Sequence, residues 1–254
     1  MYRALGAAEP RFGHLPMILG SDGERLSKRH GAVSVMQYRE DGFVPDALLN
    51  YLVRLGWSHG DQEIFSRKEM VELFDLGGVN RAPSRFDMEK ARWINQQYLQ
   101  MRPVEEELAW HLTRAGIDFD HGPALSQVWE LFRERAETVD EIAEQSRFLF
   151  EEFEEYEEKA ANKQLKQASL GPLTALRSDL SALAEWNPDA IQAVIQGVVD
   201  RLEVGFGKVG QPLRVAATGR GNAPANDQIL AALGKSRTLG RLDRAIATIE
   251  QANS

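Results

Sequence analysis

The 254-residue chain has no cysteine, which excludes a disulfide scaffold, a thiolate metal site and a thiol nucleophile. No apolar run approaches the roughly 20 residues that a membrane helix requires. The opening residues 1–10 lack a basic start followed by an apolar core, so they do not read as a secretory leader. Polar low-complexity sequence is missing too: 43% of the residues are hydrophobic, which excludes disorder as the overall state. The five histidines are scattered with no metal-ligand spacing, so no metal site is expected, and no nucleophile–base pair is legible. A cytoplasmic, membrane-independent protein is the expectation.

The charge is acidic but unevenly placed. Thirty basic against 38 acidic residues give −8, which at first sight speaks against a polyanionic partner. Residues 130–160 alone hold 12 acidic and 4 basic side chains, so the other 223 residues sum to zero. Residues 201–254 carry 8 basic and 4 acidic side chains, a local +4. A polyanion-binding surface therefore remains open, provided it is local. The acidic stretch reads as a solvated helix face.

Past the first 40 residues the pattern is almost wholly helical. Before that, the apolar run from His14 to Gly20 predicts a short strand and Ser21-Asp22-Gly23 a turn. Pro45 opens a helix with Leu48, Leu49, Leu52 and Leu55 on one face, and Gly56 stops it. Ser66 with Glu69, and again Thr138 with Glu141, have capping-box spacing. The second box predicts a helix carrying Phe148, Leu149, Phe153 and Tyr156. Asp87 caps a helix through Leu99 that carries Trp93, Ile94 and Tyr98; Trp57, Trp93 and Trp129 all read as core. Pro103 and Glu105–Glu107 suit a first turn, where carboxylates meet the positive end of the dipole. Leu173, Leu176, Leu180 and Leu183 keep helical spacing, Asn187 caps a helix opened by Pro188, and Leu239, Leu242, Ile246 and Ile249 mark a last one. Gly205, Gly207, Gly210 and Pro212 read as a break, and residues 219–224 as a loop. Breaks are expected near 99–103 and 168–171.

The stretch from Arg25 to Gly31 places three fixed cations and an imidazole in a few residues after a glycine turn. Such a loop suits a phosphate chain: Lys28 is a mobile point charge and Ser27 a hydrogen-bond donor. Were a nucleotide cleaved between its α- and β-phosphates, the loop would meet charge that builds on the leaving pyrophosphate. Composition alone favours a plain surface loop.

Arg25-Leu26-Ser27-Lys28-Arg29 resembles the KMSKS element of class I aminoacyl-tRNA synthetases, in the form found in glutamyl-tRNA synthetases. The resemblance extends through residues 44–52, 55–58, 63–66, 85–87 and 93–95, and returns in Pro212-Leu213-Arg214-Val215-Ala216, Thr218-Gly219 and Leu233-Gly234. The chain is therefore similar to the C-terminal half of a bacterial glutamyl-tRNA synthetase. It departs at Arg25, where lysine is usual, and at Ala91 and Ala217, where leucine is more usual. The family's upstream HIGH element and nucleotide-binding fold have no counterpart here, so the chain is expected to be a truncated piece, inactive alone.

The resemblance implies a mainly α fold: residues 1–40 as the end of a catalytic domain, 41–100 as a stem-contact region, and 101–168 and 169–254 as two helical anticodon-binding subdomains. It implies Lys28 as the ATP-contacting residue, with Arg25, Leu26, Ser27 and Arg29 as loop members. ATP with Mg2+, glutamate and tRNA(Glu), with tRNA(Gln) a further possibility, would be the full-length enzyme's substrates, and the chain a monomer. Arg133, Arg135 and Arg147 are candidate tRNA contacts because guanidinium planes suit both stacking and base edges; ion pairs within an acid-rich helix are the alternative for each. Lys208, Arg214, Arg220, Lys235, Arg237 and Arg241 form a second candidate surface, with scattered solubilising charge as its alternative. Helical stripes speak against the β-barrel anticodon part of glutaminyl-specific enzymes. The rival reading is a non-catalytic helical interaction module with no RNA partner, which the net charge favours.

Overall fold

The computed structural model describes residues 1–27 and 34–252. The chain divides into two compact units, Met1–Arg102 and Pro103–Ser254. Among the described residues there are thirteen α-helices and one two-stranded sheet, so the fold is mainly α. No helix among them is long and apolar enough to cross a membrane.

In the first unit, strand β1 (Ile18–Leu19) pairs in parallel with β2 (Ser84–Arg85), Ile18 opposite Ser84. The strand expected over residues 14–20 shrinks to two residues. Pro16 can donate nothing to a ladder, and the partner segment supplies only two positions. Helices α1 (Val35–Glu40), α2 (Pro45–Arg54), α3 (Arg67–Leu73) and α4 (Met88–Met101) complete the unit. The local signals act as their chemistry dictates. Pro45 opens α2, Ser66 and Glu69 close a reciprocal capping box on α3, and Asp87 accepts from the Glu89 and Lys90 amides at the head of α4. Trp57, Phe65 and Met70 form a core against Val53, Leu73 and Val79. Buried Asn50 fastens this core, accepting from the Phe65 amide and donating to the Glu63 carbonyl, both at 2.8 Å. Trp93 is not core: it is 38% exposed, with Lys90 Nζ 3.8 Å from its ring centre. The buried stripe of α4 is Ala91, Ile94, Asn95 and Tyr98, and position 93 falls off it.

The second unit comprises α5 (Glu105–Arg114), α6 (Leu125–Phe132), α7 (Val139–Ser146), a 3₁₀ turn (Arg147–Leu149), α8 (Glu158–Gln164), α9 (Gln167–Ala182), α10 (Pro188–Arg201), α11 (Gly207–Thr218), α12 (Asn226–Leu233) and α13 (Lys235–Gln251). Helix α13 packs on α9 and α11, and α5 on α6 and α7. Leu173, Leu176, Leu180, Ile195, Leu213 and Leu242 are wholly buried among them.

Four local expectations are corrected. Phe153 and Tyr156 do not continue α7: Thr138 caps that helix, but regular structure ends with the 3₁₀ turn at Leu149. Glu141 completes no capping box, because its carboxylate accepts from the Glu137 amide instead. Residues 207–212 are helical despite two glycines and a proline. A β-carbon at Gly210 would come within 2.6 Å of the Phe206 ring, so glycine permits a close approach there. Pro212 in α11 and Pro172 in α9 each stand sixth in their helices, so each removes one i→i−4 bond near the N-terminal end, which the rest of the helix tolerates. The break expected near 168–171 accordingly falls inside α9.

Candidate nucleic-acid interface

In the first unit the cationic loop grows from β1. The Gly20 amide donates to the Glu24 carbonyl at 2.8 Å, the Glu24 amide to Asp22 Oδ1 at 2.9 Å, and the Leu26 amide to the Ile18 carbonyl at 2.9 Å. Gly23, at φ 82°, supplies the left-handed corner of this turn. The chain thereby doubles back so that Arg25 lies beside Leu19 in an isolated antiparallel bridge, with Arg25 and Ser27 exposed and Leu26 half-buried. Lys28 and Arg29 lie outside the described residues.

The basic candidates of the second unit part into two groups. Those on α13 are structural. Arg241 is 2% exposed. Its Nη1 donates to the Ala217 carbonyl at 2.6 Å, its Nη2 to the carbonyls of Phe148 (2.8 Å) and Glu151 (2.9 Å), and its Nε to Glu152 Oε2 at 2.9 Å. Arg237 reaches the Leu149 and Glu151 carbonyls and Glu152, and Arg244 the Phe153 carbonyl at 2.6 Å while lying 4.0 Å from that ring's centre. The three stand roughly one turn apart on α13 and gather the carbonyl oxygens of the 148–153 turn, which no helix or strand satisfies. Lys235 donates to the Leu183 carbonyl at 2.7 Å. Arg241 thus has no surface to offer a ligand, and the acidic stretch is partly engaged in this clamp rather than wholly solvated.

Arg133 pairs with Glu130 at 2.8 Å. Arg147 pairs with Glu144 and Glu151 and donates to the Ala115 carbonyl; Arg220 meets Glu144 at 3.3 Å. Lys208 is exposed at the start of α11.

Arg135 and Arg214 are different. Arg135 is exposed in the turn between α6 and α7, its amide bonded to the Phe132 carbonyl, and its Nη1 donates to Asn222 Oδ1 at 3.2 Å. Arg214 rises from α11, half-buried, with a buried Nε–H that has no acceptor. Its guanidinium is held below its ordinary pKa, first by burial and then by the like charge of Arg135. Two cations crowded together favour an anion beside them: a phosphate oxygen, or the carbonyl and ring nitrogen of a base edge, would screen the repulsion.

The loop expected over residues 219–224 stands beside them. Helix α11 ends at Gly219, φ 74°, where a β-carbon would meet the Phe153 ring at 2.9 Å. Thr218 Oγ1 donates to the Arg214 carbonyl at 2.7 Å and accepts from the Arg220 amide at 3.1 Å. The Glu157 amide donates to the Gly219 carbonyl at 2.8 Å, and its carboxylate accepts from the Gly221 amide at 2.9 Å. No spacing signal links Glu157 or Asn222 to Arg135; only the fold brings them together.

Residues 99–246 match the family described as Anticodon binding domain, and residues 1–93 match tRNA synthetases class I (E and Q), catalytic domain. The chain belongs to the anticodon-binding-domain family, whose model covers more than half of it, and its first 93 residues match the class I synthetase model. Among solved structures it is similar to a glutamate tRNA ligase from Elizabethkingia meningosepticum solved in complex with its amino acid, at 32% identity and a TM-score of 0.83 over 98% of this chain. It is also similar to the glutamate–tRNA synthetase of Elizabethkingia anophelis, at 33% identity and a TM-score of 0.79 over 97%. The chain spans about half of each relative, 53% of its length.

Proposed function

We propose that the chain is the tRNA-gripping part of a glutamate–tRNA ligase, with Arg135 and Arg214 at the centre of its anticodon-side contact. The observation that carries the reading is the crowding of two like charges, half-buried Arg214 beside exposed Arg135, on a unit of the anticodon-binding family. Exposed Lys208, on the same helix as Arg214, is a backbone-positioning charge, with Arg133, Arg147 and Arg220 more peripheral because carboxylates already hold them. Arg241 drops out, and Lys235 and Arg237 serve the fold.

In the parent enzyme, ATP with Mg2+ and glutamate would be substrates, and the exposed Arg25–Ser27 stretch fits a phosphate-facing loop with Lys28 as its ATP-contacting member. Attachment of glutamate to tRNA(Glu), or also to tRNA(Gln), takes place in the cytoplasm on this reading, and the chain acts as a monomer. Membership of the family and the arginine pair favour this over a protein-interaction module without RNA.

Titrating the chain with labelled tRNA(Glu) tests it. The expected result is binding that weakens steeply as salt rises, lowered by roughly 10-fold or more in Arg135→Ala and in Arg214→Ala. Absence of binding at low salt by the folded chain, or equal affinity of both variants and parent, overturns it.

A further inference from the structure

The acidic segment 151–158 stands against the turn that carries Asn222, and by charge alone every carboxylate there should repel RNA. Glu157 makes contacts that point the other way. Its carboxylate holds the Gly221 amide at 2.9 Å while its own amide holds the Gly219 carbonyl at 2.8 Å, so one residue grips the turn at two main-chain points. The Arg220 side chain, between those points, is tied to the Glu144 carbonyl and carboxylate, each at 3.3 Å. Asn222, the next residue, meets Arg135 at 3.2 Å.

Packing does little of this work on one side. A cavity of about 530 Å³, lined in part by Phe153, Tyr156, Glu157, Gly219 and Arg220, opens directly against the turn. The charged groups around it are largely occupied with one another: Arg147 with Glu151, Arg220 with Glu144, Glu152 with Arg237 and Arg241. The hollow thus offers a ligand little to bind, but leaves the turn room to shift once its hydrogen bonds are cut. The left-handed Gly219 makes such a shift easy for the backbone.

We infer that Glu157 is a positioning residue for tRNA binding: it fixes the 219–222 turn so that Asn222 holds Arg135 in register beside Arg214. This rests on the RNA-binding reading above. It makes a prediction opposite in sign to electrostatics, because removing this negative charge weakens binding to a polyanion.

The test measures tRNA affinity and its salt dependence for four proteins: the parent chain, Glu157→Ala, Glu157→Gln and Glu154→Ala. Glutamine removes the charge but keeps an oxygen that can accept from Gly221, whereas alanine removes both. An exposed bond of ordinary net strength corresponds to roughly threefold to tenfold in affinity. Glu157→Ala is therefore expected to bind about threefold to tenfold more weakly, Glu157→Gln to regain parental affinity or better, and Glu154→Ala to match or exceed the parent. Thermal melts establish that Glu157→Ala is folded at the assay temperature. If Glu157→Ala binds as well as or better than the parent while Arg135→Ala binds poorly, the positioning role is refuted and the RNA-binding reading stands. If Glu157→Gln is as weak as alanine, the positioning role is again refuted. If the parent binds no tRNA, the underlying reading itself has failed.

Discussion

Arg241→Ala is expected to destabilise the helical unit while removing nothing from its ligand-facing surface. The arginine is 2% exposed and spends its guanidinium on the carbonyls of Ala217, Phe148 and Glu151 and on both oxygens of Glu152. Truncation strands interior carbonyls and leaves the Glu152 carboxylate with Arg237 as its remaining ion-pair partner. Stranding the Ala217 and Phe148 carbonyls costs about 1–3 kcal/mol each, and Glu152, itself mostly exposed, adds little, so about 3–5 kcal/mol is expected in all. For a unit of roughly 150 residues, each kcal/mol lowers the melting temperature by about 2–4 °C, so a fall of roughly 6–20 °C is expected. Arg241→Lys should recover less than half of it, because a single ammonium cannot span acceptors on the 148–152 turn and on α11 together. Far-UV circular dichroism melts of the full chain provide the measurement. A melt within about 2 °C of the parent, accompanied by a loss of tRNA affinity, would refute the clamp and return Arg241 to the binding surface.

Acid should loosen the same clamp. Burial pushes the Glu152 carboxyl upward, but hydrogen bonds from Arg241 and Arg237 prevail and hold it below its ordinary value of 4.5; Asp243 is held down by its bonds from Arg177. A depressed folded-state pKa gives stability that is complete above the unfolded value and lost as pH falls through the folded one. The melting temperature should therefore drop between about pH 5 and pH 3, and Glu152→Gln should melt lower at neutral pH with a shallower acid limb; an acid limb of unchanged slope would argue against the coupling. In the first unit, the Tyr51 hydroxyl donates to the Asp87 carbonyl at 2.8 Å and accepts from the Asp87 amide at 2.6 Å, with burial pushing the phenol up to about 12. Tyr51→Phe leaves the Asp87 amide unpaired, while the Asp87 carbonyl keeps its bond from the Ala91 amide at 3.0 Å, and should cost about 1–3 kcal/mol. Urea unfolding followed by tryptophan fluorescence should show a lower midpoint at constant slope, and an unmoved midpoint would refute it.

Much of the fold was legible along the chain because the signals involved act over a few residues. Ser66, Asp87, Thr138 and Asn187 satisfy amides two or three positions on, so their helices begin where the spacing predicts. Misreadings arose where a distant partner overrode the local pattern. The 150–157 stretch looks like a continuing helix, yet its carbonyls are taken by arginines more than 80 residues away on α13. Gly210 looks like a breaker until the Phe206 ring is seen to lie against it.

The order of the motifs, the helical content and the kinship with the synthetases were all carried by the sequence alone, since each depends on residue identity and short spacing. Which arginine faces a ligand and which fastens the interior was decided by tertiary structure. Arg214 and Arg241 read alike as basic residues on amphipathic helices; burial against main-chain oxygens makes Arg241 a fastener, whereas Arg214 is only half-buried and crowded by the like charge of Arg135. The physical reason is that the fate of a charge is set by the acceptors within 3 Å of it in space, and along the chain those lie tens of residues away.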